Sequence, residues 1–459
     1  MREDADRSKR ALAEQITRVA ESTLTEKSGS RFPRVLRIEV GIARVDPLSW
    51  LDAQKGPAKI YWADRKKQFE IAGIGQADVV SGNQPPSYVA LFDRLNESLS
   101  GAESRVRYYG GIRFDDRRVA DTRWEIFGSY RFILPRFEIC IRHGESTLVC
   151  NLIRPKEQQI PVSEILADLD EVHFLPGKRD RQIPSLLARQ DNPDKAGWRE
   201  SVESAIRSFD QGTVQKIVLA RKSLLEFKSA LNPVAVLGRL KLAMPGCFHF
   251  CFIPEPGVAF IGASPERLYM REFRLIRSEA IAGTRPRGIS AMTDEQLGQD
   301  LLHSDKDLRE HRLVVQGIRE MLAPLCESLE VDGSTSLLKL AQCQHLLSVF
   351  KGTLGNGVRD ADLLRGLQPT PAVGGYPTAA ALEEIEKLEP FDRGWYAGPV
   401  GWVGPNTAEF AVAIRSGLVD GSRLYLFSGA GIVEGSTPEG EWDEIENKIS
   451  DFIKVLTDP

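Results

Sequence analysis

From residue 35 onward the apolar residues fall repeatedly into period two, and no other feature constrains the fold as strongly. VLRIEVGIARV (35–45) and KIYWADRKKQFEIAGIG (59–75) alternate apolar and polar positions with polar turns between, as antiparallel strands do. YYGGIRFD (108–115), FGSYRFILPRFEICIRH (127–143) and STLVCNLIRP (146–155) extend the series. It resumes in QKIVLARKSLLEF (215–227), FHFCFIPEPGVAFIGASPERL (248–268), QHLLSVFKGTL (344–354), WYAGPVGWV (395–403), EFAVAIRSGLV (409–419) and RLYLFSGAGIV (423–433). Helical stretches are inserted irregularly. Residues 1–28 carry Leu12, Ile16, Val19 and Leu24 on one stripe, and Ser87 after Pro86 is placed to cap a helix to Leu99. Val162–Leu169, Lys195–Phe209, Pro233–Leu242, Thr293–Leu325 and Pro438–Leu456 complete the set. Strands interleaved with helices without regular βαβ alternation predict an α+β fold rather than a doubly wound parallel sheet. The one candidate boundary lies at 180–196, dividing the chain into 1–190 and 191–459.

At 459 residues the chain is long enough to bury a large core. A net charge of −4 offers no basic field, so neither nucleic acid nor an anionic membrane is an expected partner. The sequence has no apolar run long enough to span a bilayer. Its charged start, MREDADRSKRALAEQI, lacks the apolar core of a secretory signal, so a cytoplasmic location is expected. The six cysteines form no CxxC pair, and Cys247 and Cys251 lack a second pair to complete a zinc set. Buried free thiols are the expected state.

Several segments carry chemistry. Ile261–Arg287 reads as two facing strands with a special turn at each end. In Gly262-Ala-Ser-Pro-Glu-Arg-Leu268 small residues turn the backbone and Glu266 is delivered at the start of a strand. In Ala280–Arg287 the strand ends at Ala282, Gly283 and Thr284, where bare backbone N–H groups admit a ligand, with Arg285 and Arg287 behind. Ser428–Ile432 looks like a second strand ending in a bare turn, at Gly429, Ala430 and Gly431. Lys216 is polar at the head of an apolar strand. It reads either as a solvent-facing residue of an edge strand or as an inward lysine that needs a partner, because burial disfavours its charged form. Arg415, inside an apolar strand, implies a bound anion or a buried carboxylate. Asp307 and Glu310 stand three apart on one helix, and Glu441 and Glu444 three apart on another. They are either solvated faces, the latter pair favoured by the helix dipole, or four oxygen donors for a hard cation.

Taken together, Lys216–Arg221, Gly262–Leu268, Ile281–Gly288, Arg309–Val314, Gln344–Leu346, Pro369–Gly375, Gly429–Ile432 and Gly440–Glu444 closely resemble the chorismate-binding enzymes. These are the isochorismate, salicylate, anthranilate and aminodeoxychorismate synthases. The motifs span roughly residues 210–455. Pro47–Leu51, Ile60–Trp62, Tyr109–Ile112 and Phe391–Trp402 are similar to the isochorismate synthases of quinone pathways, such as menaquinone biosynthesis. The resemblance implies one large α+β domain of two big antiparallel sheets packed as a sandwich, with helices outside, and a boundary near 190 that is only topological. It implies Lys216 as the base for water attack at C2 of chorismate and Glu266 as the acid for the departing C4 hydroxyl. It implies Mg²⁺ on Glu310 and Glu444, with Asp307 and Glu441 beside them. Arg415, Tyr396, Lys448, Gly283, Thr284 and the Gly429–Gly431 backbone would hold the substrate, with His345 near its ring. Ammonia-using relatives carry Gln where Lys216 stands, so isochorismate synthesis without an amidotransferase subunit is expected. The alternatives are a salicylate synthase, which also eliminates pyruvate, or a non-catalytic chorismate-binding subunit.

Overall fold

A computed structural model describes residues 2–25, 35–84, 87–115, 117–118, 120–154, 160–174 and 182–457. Pro86 and much of the basic stretch before residue 182 lie outside the described residues, as do residues 26–28 of the expected first helix. The alternating segments form two large sheets, one of 12 strands and one of 10. Their pairings are antiparallel throughout the described residues. The α+β reading and the two-sheet architecture are therefore what the chain adopts. Both sheets take strands from either side of residue 190, which itself falls inside the strand Leu186–Asn192.

The sheets share one apolar core. Phe69 of the larger sheet meets Trp402 of the smaller one edge-on at 6.0 Å between centroids. The Arg107 guanidinium lies over both rings, 4.9 and 4.2 Å from their centroids. Helices pack outside, and their starts follow local chemistry. Ser87 caps Tyr88–Leu99 by accepting from Ala90 N, and Asp194 caps Lys195–Phe209 by accepting from Gly197 N. Asn232 caps Pro233–Ala243, whose first residue is a proline with no amide to leave unsatisfied. In the first helix, Arg2–Thr25, Leu12 and Ile16 are fully buried, as the stripe requires.

Five expectations need correction. The long helix over Thr293–Leu325 is two helices, Ala291–Leu302 and Asp305–Leu322, followed by a short 3₁₀ turn. Ser304 breaks it: its backbone is extended and its side chain accepts from Asp307 N, starting a new helix while the apolar spacing continues. Gly262 lies within the strand Val258–Ser264 and not in a turn; a Cβ there would stand 2.3 Å from the Phe250 ring. Neither bare turn ends its strand: Ala282–Thr284 lie within Leu275–Pro286, and Ser428–Ile432 within Arg423–Val433. Arg415 is not inside a strand but between Thr407–Val412 and Ser416–Asp420, with φ of 49°. The cysteines are free; all are buried except Cys326, which is half-buried.

Candidate active site

The site forms where the chain crosses between the sheets. Val258–Ser264 belongs to the larger sheet and Arg267–Glu272 to the smaller, so Pro265 and Glu266 make one crossing. Thr407–Val412 and Ser416–Asp420 make a second crossing in the opposite direction, and Arg415 lies on it. The crossings run side by side. Val412 N donates to Glu266 O and Ala263 N to Arg415 O, both at 3.1 Å. One seam thus presents a carboxyl and a guanidinium to the same cavity.

Glu266 is buried and its Oε1 has no hydrogen-bond partner. Burial pushes its carboxyl up to about 8; Lys216 opposes this and Glu279 adds to it. Glu266 therefore carries its proton at neutral pH. Behind it, Arg65 donates to Pro265 O at 2.7 Å and to Glu279 Oε1 at 2.6 Å, and Arg267 donates to the same oxygen at 2.9 Å. Lys216 opens the strand Lys216–Phe227 and is fully buried, which excludes the solvent-facing reading. Its Nζ lies 3.0 Å from Glu310 Oε1.

Glu266, Gly283, Thr284, Glu310, His345, Tyr396, Arg415, Gly429, Gly431, Glu444 and Lys448 line one cleft with about 900 Å³ of atom-free space, partly open to solvent. Lys216, Asp307, Ala430 and Glu441 are not among the lining residues. Gly283 has φ of 66° and sits at a bulge between Ala282 and Arg285, where the ladder with Cys343–Leu354 shifts register. His345 Nδ1 donates to Gly283 O at 2.9 Å, so Nε2 is free to accept from Arg415 Nη2 at 3.1 Å. Burial, and then Arg415, hold this imidazole down at about 3, so it is neutral. Tyr396 stacks on Phe427 at 5.2 Å, and burial raises its hydroxyl's pKa. Phe427, Ile449 and Phe452 give the cleft an apolar wall.

The four acids meet the cleft unequally. Glu310 and Glu444 line it. Glu444 accepts from Lys448 Nζ at 2.7 Å; burial raises its pKa, but Lys448 outweighs this and the net shift is down. Glu441 accepts from Lys306 at 2.7 Å, its Oε2 is buried without a partner, and burial and Glu444 push it up. Asp307 is bonded to Arg285 at 2.7 Å. Among the described residues no three acidic, histidine or cysteine side chains gather into a ready metal cluster. The set is all hard oxygen donors, two of them open to the cleft and one with an orphaned oxygen. It suits Mg²⁺ by type, with lysines now beside three of the carboxylates. Sequence reasoning missed Arg65, Lys306 and Cys343, whose Sγ accepts from Arg415 Nη2 at 2.8 Å. No local motif marks them.

One seam between two large antiparallel sheets thus brings a buried acid and an arginine to a single cleft. The chain belongs to the chorismate-binding enzymes, whose family model matches residues 20–457. Among its relatives, the chloroplastic isochorismate synthase 2 of Arabidopsis thaliana is 35% identical over 395 residues, 84% of this chain and 70% of that protein. The salicylate biosynthesis isochorismate synthase of Pseudomonas aeruginosa is 36% identical over 442 residues, 93% of this chain and 90% of its own. The structure of MenF, the menaquinone-specific isochorismate synthase of Escherichia coli, matches with a TM-score of 0.84 at 29% identity, covering 98% of this chain and 100% of that one. No helix among the described residues is long and apolar enough to cross a membrane.

Proposed function

We propose that the chain is an isochorismate synthase, converting chorismate to isochorismate. The observation that carries the reading is Glu266, a buried carboxyl in the cleft lining with an unpartnered Oε1, its acid equilibrium raised by burial and a lysine within electrostatic reach. In the proposed reaction Lys216 takes a proton from water as the oxygen bonds to C2 of the ring. The ring double bonds shift, and the C4 hydroxyl leaves as water with the proton of Glu266. One water enters and one departs, so substrate and product are isomers. The step leaves an ammonium and a carboxylate, which attract, until protons are exchanged with solvent. The burial of both side chains strengthens that pairing.

Arg415 is read as the partner of one substrate carboxylate, oriented by the neutral ring of His345. Lys448, the bare backbone at Gly429 and Gly431, and the Gly283–Thr284 bulge complete the substrate side. Mg²⁺ would be held by Glu310 and Glu444, with Glu441 and Asp307 behind them, and when bound it neutralises the carboxylate on C1. A lysine at position 216 favours water over ammonia, since an amide has no useful basicity near neutrality. Chorismate, water and Mg²⁺ are then the small molecules the reaction needs, with no amidotransferase partner and no nucleic acid. A quinone pathway, as for menaquinone, is the setting favoured by the Phe391–Trp402 context.

Chromatography of the products formed from chorismate tests this directly. Isochorismate accumulating toward a mixture with chorismate, only when Mg²⁺ is present, is the expected result. Pyruvate and salicylate released faster than isochorismate decays alone would make the chain a salicylate synthase instead.

A further inference from the structure

The strand that carries Lys216 has a gap along one edge. On its inner side it pairs with Arg423–Val433 from Lys216 to Glu226. On its outer side Gly375–Tyr376 pairs only with Lys216 and Ile217, and Leu186–Asn192 begins pairing at Lys222. Between these two partners, Val218 N still reaches Gly374 O at 3.0 Å. The Val218 carbonyl and the Ala220 amide face outward with no strand beside them.

A buried ion pair fills the gap. Glu389 Oε1 accepts from Ala220 N at 2.7 Å, and Arg393 Nη2 donates to Val218 O at 2.7 Å. Arg393 Nη1 also donates to Val373 O at 2.9 Å. The two side chains are joined by Nε to Oε2 at 2.9 Å and Nη2 to Oε1 at 2.5 Å, and each is 3% exposed. The guanidinium lies 4.2 Å from the Phe114 ring centroid and 5.9 Å from that of Tyr396. One acceptor and one donor, held two residues apart, reproduce what a neighbouring strand would offer. An apolar pair of the same volume would fill this space but leave Ala220 N and Val218 O without partners. Only a fork of this kind satisfies the strand edge and a third segment together, and Val218, Val373 and Tyr396 all line the cleft.

We infer that Glu389 and Arg393 are positioning residues: they hold the strand bearing Lys216 against the Val373 and Tyr396 segments. The inference rests on reading Lys216 as the base. Its test combines kinetics with amide exchange. Arg393→Lys keeps the charge beside Glu389 but cannot reach Val218 O, Val373 O and both Glu389 oxygens at once. It is expected to lower kcat about tenfold or more with KM for chorismate changed less than about threefold, since small misplacements of a base act on turnover. Exchange should quicken in peptides covering 216–222 and not in those of Cys343–Leu354. The double substitution Glu389→Gln/Arg393→Met buries no unpaired charge and keeps an acceptor for Ala220 N. It is read alongside, and decides the matter if Arg393→Lys does not fold. A folded variant with parental kcat, with unchanged exchange at 216–222, or with its loss confined to KM would overturn the inference. If the parent protein leaves chorismate unconverted, the isochorismate reading fails, while the exchange comparison still decides whether the pair holds this strand.

Discussion

Lys216 Nζ and Glu310 Oε1 stand 3.0 Å apart in space that exists because residue 431 has no side chain. A Cβ on Gly431 would lie 2.3 Å from that oxygen and 2.9 Å from Lys216 Cε. The glycine lies within a regular strand opposite Val218, so its role is clearance rather than backbone freedom. It lets the proposed base and a proposed metal ligand share one spot at the cleft.

Gly431→Ala should therefore displace Glu310 or Lys216 and lower turnover by about 10²-fold, as small errors of placement do. Gly238→Ala is the control, on the helix Pro233–Ala243 outside the cleft lining, where a Cβ would meet nothing within 4 Å. Both variants should fold, and kcat for each is the measurement. Equal activity in the two would sink the clearance argument.

Glu266 makes pH a sharp probe. In the folded protein its proton is held up to about 8, whereas an ordinary glutamate releases it near 4.5. The folded state thus binds the proton more tightly, and the stability this supplies is complete below pH 4.5 and declines as pH rises to about 8. The decline is on the order of a few kcal/mol for a fully buried group. Glu266→Gln removes the titration, so between pH 6 and 9 its melting temperature should fall less than that of the parent. The parent's kcat/KM should also lose a limb above pH about 8, as the proposed acid ionises. Parallel melting curves across this range would show that Glu266 is not held protonated.

Much of this site is legible in the sequence because its residues sit in short, unusual contexts. Glu266 follows a proline at a strand start, Arg415 interrupts an apolar run, and Gly283 stands among small residues before two arginines. Period two identifies the strands, and Asp194 before Lys195–Phe209 has the chemistry of a cap. What escapes is whatever depends on long-range register. That Glu266 and Arg415 lie on adjacent crossings follows from which strands pair, and no local pattern encodes it. Arg65 reaches Glu279 from 214 positions away, and Glu389 reaches Ala220 from 169. The helix break at Ser304 escapes for another reason: the apolar spacing on either side stays in phase, so only the serine's capping bond reveals it.

Metal binding has its own readout. Glu444 is tied to Lys448 and Glu310 to Lys216, so a cation entering the cleft must share these carboxylates with the lysines. A ligand that binds only the folded state raises its stability by RT ln(1 + [L]/Kd), about 2.7 kcal/mol at a hundredfold excess over Kd. The parent's melting temperature should rise with millimolar Mg²⁺, while Glu444→Gln and Glu310→Gln, each referred to its own metal-free melting temperature, should respond weakly to it. A full Mg²⁺ response in either variant would remove that residue from the ligand set.

The last prediction separates water chemistry from ammonia chemistry. Lys216 heads its strand, is fully buried and lies against Glu310, so its amine is held in one place. Water is a poor nucleophile until a base takes its proton, and such assistance is worth about 10²–10⁴-fold. Lys216→Gln puts an amide at the same point: it can hold a water by hydrogen bonding but cannot accept a proton near neutral pH. Isochorismate formation should fall by at least about 10²-fold. Chorismate affinity by calorimetry should change little, since Arg415, Lys448 and the glycine backbone are untouched. Loss of activity with parental affinity places the lysine in the chemical step rather than in binding. Should the variant keep more than about a tenth of the parental rate, far above what loss of a general base allows, another group is the base.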